Sequence, residues 1–197
     1  GLGLANAFED HAKNEGIKVI DRISYYAGVE DLERIAEKWG ALDYDSIFVA
    51  HDVPDGAIFI ADAVKAGISV PFLAGDAMDT PQLWEVAGKA AEGTVVGSIF
   101  NPEDPRPETK DFIEKFSKKY NTPPTSYATQ GYDAVRLLAA AIEESGSTDP
   151  KAIAAKLRTF KGKPGVAGSH TFTENGDDVG NLVVKKVVRN GQFQFID

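Results

Sequence analysis

The side chains best suited to recognition chemistry are His51, Asp52 and Asp76, in two acidic, small-residue stretches, together with Tyr25, Tyr26 and Tyr127. A carboxylate at the rim of a cleft accepts charge-assisted hydrogen bonds from a cationic group, about twice as strong as neutral ones. A tyrosine adds an apolar ring with a polar tip. Asp45, Asp52, Asp55, Asp76 and Asp79 also raise metal-assisted hydrolysis, but they are spread over separate loops, whereas a hard cation needs oxygens converging from one cage. The chain has no cysteine, which excludes thiol catalysis, disulfides and thiolate metal sites. His11, His51 and His170 are far apart, and HExxH, GxSxG and phosphate-loop patterns are absent. Gly1-Leu2-Gly3 precedes a helix but lacks both GxGxxG and a P-loop lysine. The residues therefore point to binding rather than catalysis, with no cofactor and no metal.

These residues need a scaffold, and the stretch from Asp45 to Asp79 supplies it. An apolar strand, Ser46 to Ala50, leads through an acidic turn into an amphipathic helix, 54 to 66. A second apolar strand, Val70 to Leu73, then runs into Gly75-Asp76-Ala77. In open α/β sheets ligands bind just beyond the carboxyl ends of the strands, so His51, Asp52 and Asp76 fall where a cleft is expected. Each has a plainer alternative. Asp76 can cap a turn, and Asp52 can cap helix 54 to 66 with His51 simply exposed. Tyr25 and Tyr26 end a strand-like segment at the same edge, with one ring packing inward as the alternative. Tyr127 opens an apolar helix, where core packing is the other reading. Tyr132 belongs to that helix's apolar face, and Asp133 is expected to pair with Arg136 or a backbone donor.

In chain order, Leu4 to Asn14 has helical spacing and is stopped by Gly16. Ile17 to Ile20 reads as a strand, and the turn at Ala27-Gly28 leads into a helix from Glu30 to Trp39. After the central stretch, Thr80-Pro81 opens a helix through Ala87, and Thr94 to Phe100 is a β-branched strand. Helix and strand alternate over the first hundred residues, which predicts a parallel sheet flanked by helices. The prolines of Asn101 to Pro107 mark a crossing. Helices follow at Glu108 to Tyr120, at Tyr127 to Ser145, expected to be buried on much of its circumference, and at Lys151 to Thr159. Val166 to Thr173 reads as a hairpin arm. Asn190-Gly191 between Leu182 to Val188 and Gln192 to Ile196 predicts a closing antiparallel hairpin.

A chain of 197 residues with 43% hydrophobic residues can bury a real core. Its net charge of −9 argues against nucleic-acid partners and favours a cationic or zwitterionic ligand. No apolar run approaches the roughly 20 residues that span a bilayer. Gly1 to Phe8 lacks the basic region of a signal peptide and leads directly into a helix.

The order of these elements, with several landmark phrases, resembles the extracytoplasmic solute-binding proteins of ABC transporters, of the branched-chain amino acid type with the type I periplasmic-binding fold. The phrases are Tyr44-Asp45-Ser46-Ile47-Phe48-Val49 before Pro54-Asp55, Val70-Pro71-Phe72-Leu73 before Gly75-Asp76, Ala87-Gly88 before Ala91-Glu92-Gly93, Tyr132-Asp133-Ala134-Val135, Gly146-Ser147-Thr148-Asp149, and Phe172 before Gly176-Asp177. The resemblance implies two lobes joined by crossings. Residues 1–101 would belong to the C-terminal lobe, 102–178 to the N-terminal lobe, and 179–197 would be a hairpin returning to the C-terminal lobe. It further implies a chain that starts after the first crossing, with the apolar helix 127 to 145 separated from its sheet and prone to self-association. By resemblance, Asp76 binds the α-ammonium of an amino acid or a related small amine or amide. The 51 to 53 loop meets the ligand side chain, and Asp52 stands about where the family carries an aromatic ring. The implied partners are the small-molecule ligand and the transporter's membrane permease, in the periplasm or another extracytoplasmic space. A ligand-sensing module of a receptor or regulator with the same fold is the alternative.

Overall fold

The computed structural model describes residues 1–26, 31–180 and 183–196, so the turn at Ala27-Gly28, the helix start at Glu30 and the strand start at Leu182 lie outside it. The chain forms two compact units, residues 1–97 with 185–197, and residues 98–184.

The first unit is built on a mixed sheet in which three parallel strands are continued by the closing antiparallel pair. Strands β1 (Ile47–Val49), β2 (Phe72–Ala74) and β3 (Val95–Ser98) run parallel, with Ile47 opposite Phe72 and Leu73 opposite Val95. Helices α1 (Leu2–Asn14), α2 (Leu32–Gly40), α3 (Asp55–Lys65) and α4 (Gln82–Ala87) accompany them. Their apolar stripes make the core. Leu32, Ile35 and Trp39 of α2, Ala57, Ile60 and Ala63 of α3, and Leu83 of α4 are buried together with Phe72 and Val96 of the sheet. The face of α2 expected from the i, i+3, i+4, i+7 spacing is thus the buried one.

Strands β6 (Val184–Arg189) and β7 (Gln192–Ile196) form the expected antiparallel hairpin, with Arg189 opposite Gln192. Asn190 and Gly191 both adopt positive φ, 53° and 68°, as a two-residue turn of this twist requires. The Asn190 N–H donates to Glu92 at 2.9 Å, tying the turn to the loop before β3.

The segment Ile17 to Ile20 is not a strand. Gly16, at φ 73°, ends α1, and the Ile17 N–H turns back to the Ala12 carbonyl at 2.8 Å. A β-prone run becomes a strand only beside a chain that accepts its backbone groups, and none of the described strands pairs with these residues. Ile17 is accordingly exposed. The following residues are held by side chains. Asp21 accepts hydrogen bonds from the Lys38 ammonium and the Trp39 indole, both at 2.7 Å, and these lower its pKa to about 2.

The second unit contains α5 (Pro107–Tyr120), α6 (Ser126–Ser145) and α7 (Pro150–Leu157), and a two-stranded antiparallel sheet of β4 (Lys163–Pro164) and β5 (Ser169–His170). Helix α7 starts as read, with Asp149 accepting the Ala152 N–H at 3.0 Å and Pro150 in the first turn. Leu137, Ala141 and Phe160 form its small core, packed by Ile153, Leu157 and Phe172. Helix α6 is less buried than its composition suggests. Val135 is 67% and Leu138 45% exposed, because the apolar stripe is wider than the surface that α7 and Phe160 cover. Tyr132 lies at the edge of that stripe, 43% exposed, with its ring centre 4.7 Å from that of Phe112 and the Arg136 guanidinium 5.8 Å from the ring centre.

Ile60 is fully buried at the centre of the larger core. Ile60→Ala is expected to lower unfolding stability by about 2–5 kcal/mol through lost burial and the cavity left behind. Urea denaturation measures this, and a loss under about 1 kcal/mol would place Ile60 outside the cooperative core.

Candidate functional site

Because β1 and β2 are parallel and in register from Ile47/Phe72 to Val49/Ala74, the loops leaving them emerge side by side. The first carries His51 and Asp52 and the second carries Asp76. After Ala74 the chain passes Gly75, in extended conformation, into a short 3-10 turn over Asp76–Met78. That turn is closed by the Met78 N–H on the Gly75 carbonyl at 3.0 Å and the Asp79 N–H on the Asp76 carbonyl at 2.9 Å. The backbone of Asp76 is therefore fixed while its side chain is exposed, and the carboxylate bonds no other described residue. It caps nothing, so the plain turn-capping reading is not what the geometry provides.

The two loops interlock. Met78 is fully buried, and a Cβ on Gly56 would lie 2.7 Å from its sulfur and 3.2 Å from the His51 Cβ. The absence of a side chain at Gly56 lets the end of Met78 sit directly against the start of α3. On the other side Gly75 abuts Leu4, so that the opening turn of α1 also meets this end of the sheet.

Asp52 does not cap α3 with its side chain. The helix is entered at Pro54 without a side-chain cap, and it is the Asp52 carbonyl that accepts the Gly56 N–H, at 2.7 Å. The Asp52 carboxylate is exposed and lies 2.9 Å from His51 Nδ1. His51 is half-buried rather than simply exposed, since its Cβ packs towards Gly56. Tyr25 is committed elsewhere. Its hydroxyl donates to Asp62 of α3 at 2.9 Å, and its ring meets Phe59 edge-on at 5.0 Å, while Tyr26 is exposed. The pair thus splits into one packed and one outward ring. Tyr127 lies in the other unit, in the first turn of α6, and at 49% exposure it is not a core residue. The structure brings His51, Asp52 and Asp76 to one edge of the sheet, and it directs Tyr25 onto α3.

The sequence profile of the periplasmic binding protein family matches residues 1–192. The chain belongs to that family. Its fold follows the leucine-binding protein LivK of Thermotoga maritima with a TM-score of 0.89 and 31% identity, covering 100% of this chain and 56% of that one. A substrate-binding protein of an ABC transporter from Desulfitobacterium hafniense, solved in complex with Leu, is 46% identical with a TM-score of 0.82, again over 100% of this chain and 56% of that one. A Leu/Ile/Val-binding protein homologue of Brucella melitensis is 29% identical over 90% of this chain and 48% of its own length. The chain thus spans about half the length of the curated relatives it matches. These relatives of the binding-protein chain are solute-binding proteins, and no helix among the described residues is long and apolar enough to cross a membrane.

Two buried charge clusters of this binding-protein chain escaped sequence reasoning. Lys186 of β6 holds both carboxylate oxygens of Asp79 at 3.0 Å, with side chains 7% and 3% exposed. Asp79, one of the carboxylates that raised a metal site, is thereby engaged by a cation, and no cluster of acidic or histidine side chains suited to a metal occurs among the described residues. A signal was present. Consecutive Lys185 and Lys186 within a strand must point to opposite faces, so one of them turns inward. In the second unit Asp133 is 2% exposed and accepts the Val166 and Ala167 N–H groups at 2.8 and 3.0 Å. The expected backbone donors are therefore right, and Arg136 is not a partner. His170 bridges Asp133, 3.3 Å from Nε2, and Asp178, 2.6 Å from Nδ1. Separations of 37 and 8 residues hid this cluster from any motif search.

The Asp133 hydrogen bond raises the His170 pKa above 6.5, against the opposing effect of burial, with Asp178 adding to it. Burial pushes Asp133 upward, but the bonds from His170, Val166 and Ala167 outweigh it and hold Asp133 below 3.8. The contribution of His170 to stability is therefore complete below its unfolded value of 6.5 and is lost as pH rises through the higher folded value. That of Asp133 is complete above 3.8 and is lost as pH falls through the lower folded value. The thermal midpoint of His170→Gln should fall further below the parent's at pH 5.5 than at pH 9. Equal differences at both pH values would contradict the bridging geometry.

Proposed function

We propose that this chain forms one wall of the ligand cleft of an extracytoplasmic solute-binding protein that delivers an amino acid, or a related small amine or amide, to an ABC transporter. The carrying observation is the Asp76 carboxylate, exposed and unbonded among the described residues, on a backbone-fixed turn at the carboxyl end of β2. A carboxylate so placed suits an ammonium, since the fixed turn removes most of the ordering cost of the contact. The 46% identical protein solved in complex with Leu supports an amino acid as the ligand class. In this reading the opposite wall binds the ligand's carboxylate, and closure of the two walls buries the ligand.

The neighbouring loop sets side-chain preference. Asp52, with His51 beside it, places a carboxylate and an imidazole where an aliphatic ligand would profit from apolar surface. The chain is therefore assigned a ligand whose distal part tolerates or uses a polar contact, such as an amide, in addition to aliphatic amino acids. Residues 102–178 are assigned to the N-terminal lobe, and 179–197 to a return into the C-terminal lobe.

Calorimetric titration of the full-length protein with L-leucine and L-glutamine tests the assignment. Asp76→Asn should weaken binding of whichever ligand the parent takes by about 10- to 150-fold, the worth of a hydrogen bond to a charged group. An affinity unchanged in the variant overturns the role of Asp76. Residues 1–197 alone should bind only weakly, and tight binding by them would overturn the single-wall reading.

A further inference from the structure

The reading of Asp76 as the ammonium ligand leaves open what holds it in place, and the buried ion pair three residues further on bears directly on this. Resting on that reading, we propose that Lys186, through Asp79, is a positioning residue for Asp76, so that the closing hairpin acts on the ligand site.

The turn that presents Asp76 is fixed at two points. One is Ala74, in the parallel ladder opposite Val49 and Val96. The other is Asp79, whose N–H donates to the Asp76 carbonyl and whose carboxylate is gripped at both oxygens by Lys186. The lysine is itself confined. Its ammonium lies 5.5 Å from the centre of the Phe193 ring and 5.4 Å from that of Phe195, both on β7, and Phe193 is braced edge-on by Trp84 of α4 at 5.0 Å. A contact chain therefore runs from β7 through Lys186 and Asp79 to the backbone of Asp76.

A buried ion pair is poorly explained by stability alone, because an apolar pair of similar volume usually serves as well or better. What two oxygens on one confined ammonium add is direction. They define where Asp79 sits and hence the end of the turn. A carboxylate on a fixed backbone binds better than one on a mobile loop, because only its side chain remains to be ordered at the moment of contact. A pair that served only to set the register of β6 would not distinguish a ligand with an ammonium from one without it.

The test is a mutant cycle in the full-length protein, read by calorimetry with L-leucine and with 4-methylpentanoate, which lacks the ammonium. The paired variant Asp79→Asn with Lys186→Met removes both charges and leaves neither buried alone. It should bind leucine about tenfold more weakly than the parent, yet change leucine affinity less than about twofold in an Asp76→Asn background, as coupled neighbours do. Its affinity for 4-methylpentanoate should match the parent's within about twofold. Lys186→Arg, which keeps the charge, should restore most of the leucine affinity. If the paired variant does not fold, Asp79→Glu, which keeps both charges but moves the carboxylate by one methylene, carries the same comparison. Equal losses in both backgrounds, equal losses for both ligands, or no loss at all overturns the positioning role. A parent that does not bind leucine, or an Asp76→Asn variant that binds it unchanged, instead overturns the reading of Asp76 itself, and the positioning role with it.

Discussion

Two neighbouring parallel strands cannot be joined by a tight turn, because the chain must travel back the full length of the sheet before starting the second. From that constraint most of the first unit follows. The return path from β1 to β2 is α3, and that from β2 to β3 runs through α4. The loops that leave β1, β2 and β3 therefore emerge at the same edge, and those that enter these three strands lie at the other. The acidic residues after β1 and β2 are neighbours for this reason, although 24 positions separate Asp52 from Asp76 in sequence. The antiparallel hairpin at the end of the chain adds two strands without needing another helix, and brings Lys186 within reach of the same edge.

Both units bury charge, and both do so with complete partnering. Lys186 has Asp79, and Asp133 has two backbone donors and a histidine. Removing one member of such a set costs about 3–5 kcal/mol, whereas forming it adds little net stability. The clusters are thus better understood as fixing which strands and turns meet than as sources of stability. In the second unit the cluster fastens the 163–180 arm to α6, whose apolar core is small.

What was legible in the sequence divides along physical lines. Strands β1 to β3 and helices α1 to α7 announced themselves through period and capping, since both are local properties. The Asn190-Gly191 turn was equally plain, because few residue pairs accept two positive φ angles. Ile17 to Ile20 misled, as strand formation depends on a partner that propensity does not encode. The placement of His51, Asp52 and Asp76 at one sheet edge followed from the βαβ order, but their individual partners did not. The Asp52 carboxylate was taken by His51 while α3 was entered at Pro54, and Tyr25 was claimed by Asp62, a residue that no pattern connects to it. Lys186–Asp79 spans 107 positions, and a contact at that distance leaves only the parity of Lys185 and Lys186 as a trace.

The contact between Met78 and Gly56 has an experimental use. Met78 is the only methionine of the chain, it is fully buried, and it lies where the His51 loop, the Asp76 turn and α3 meet. A methyl-labelled sample of residues 1–197 would give one methionine signal, whose shift reports the packing of both loops together. Within residues 1–197 this label lies beneath both loops, with no substitution needed to install it.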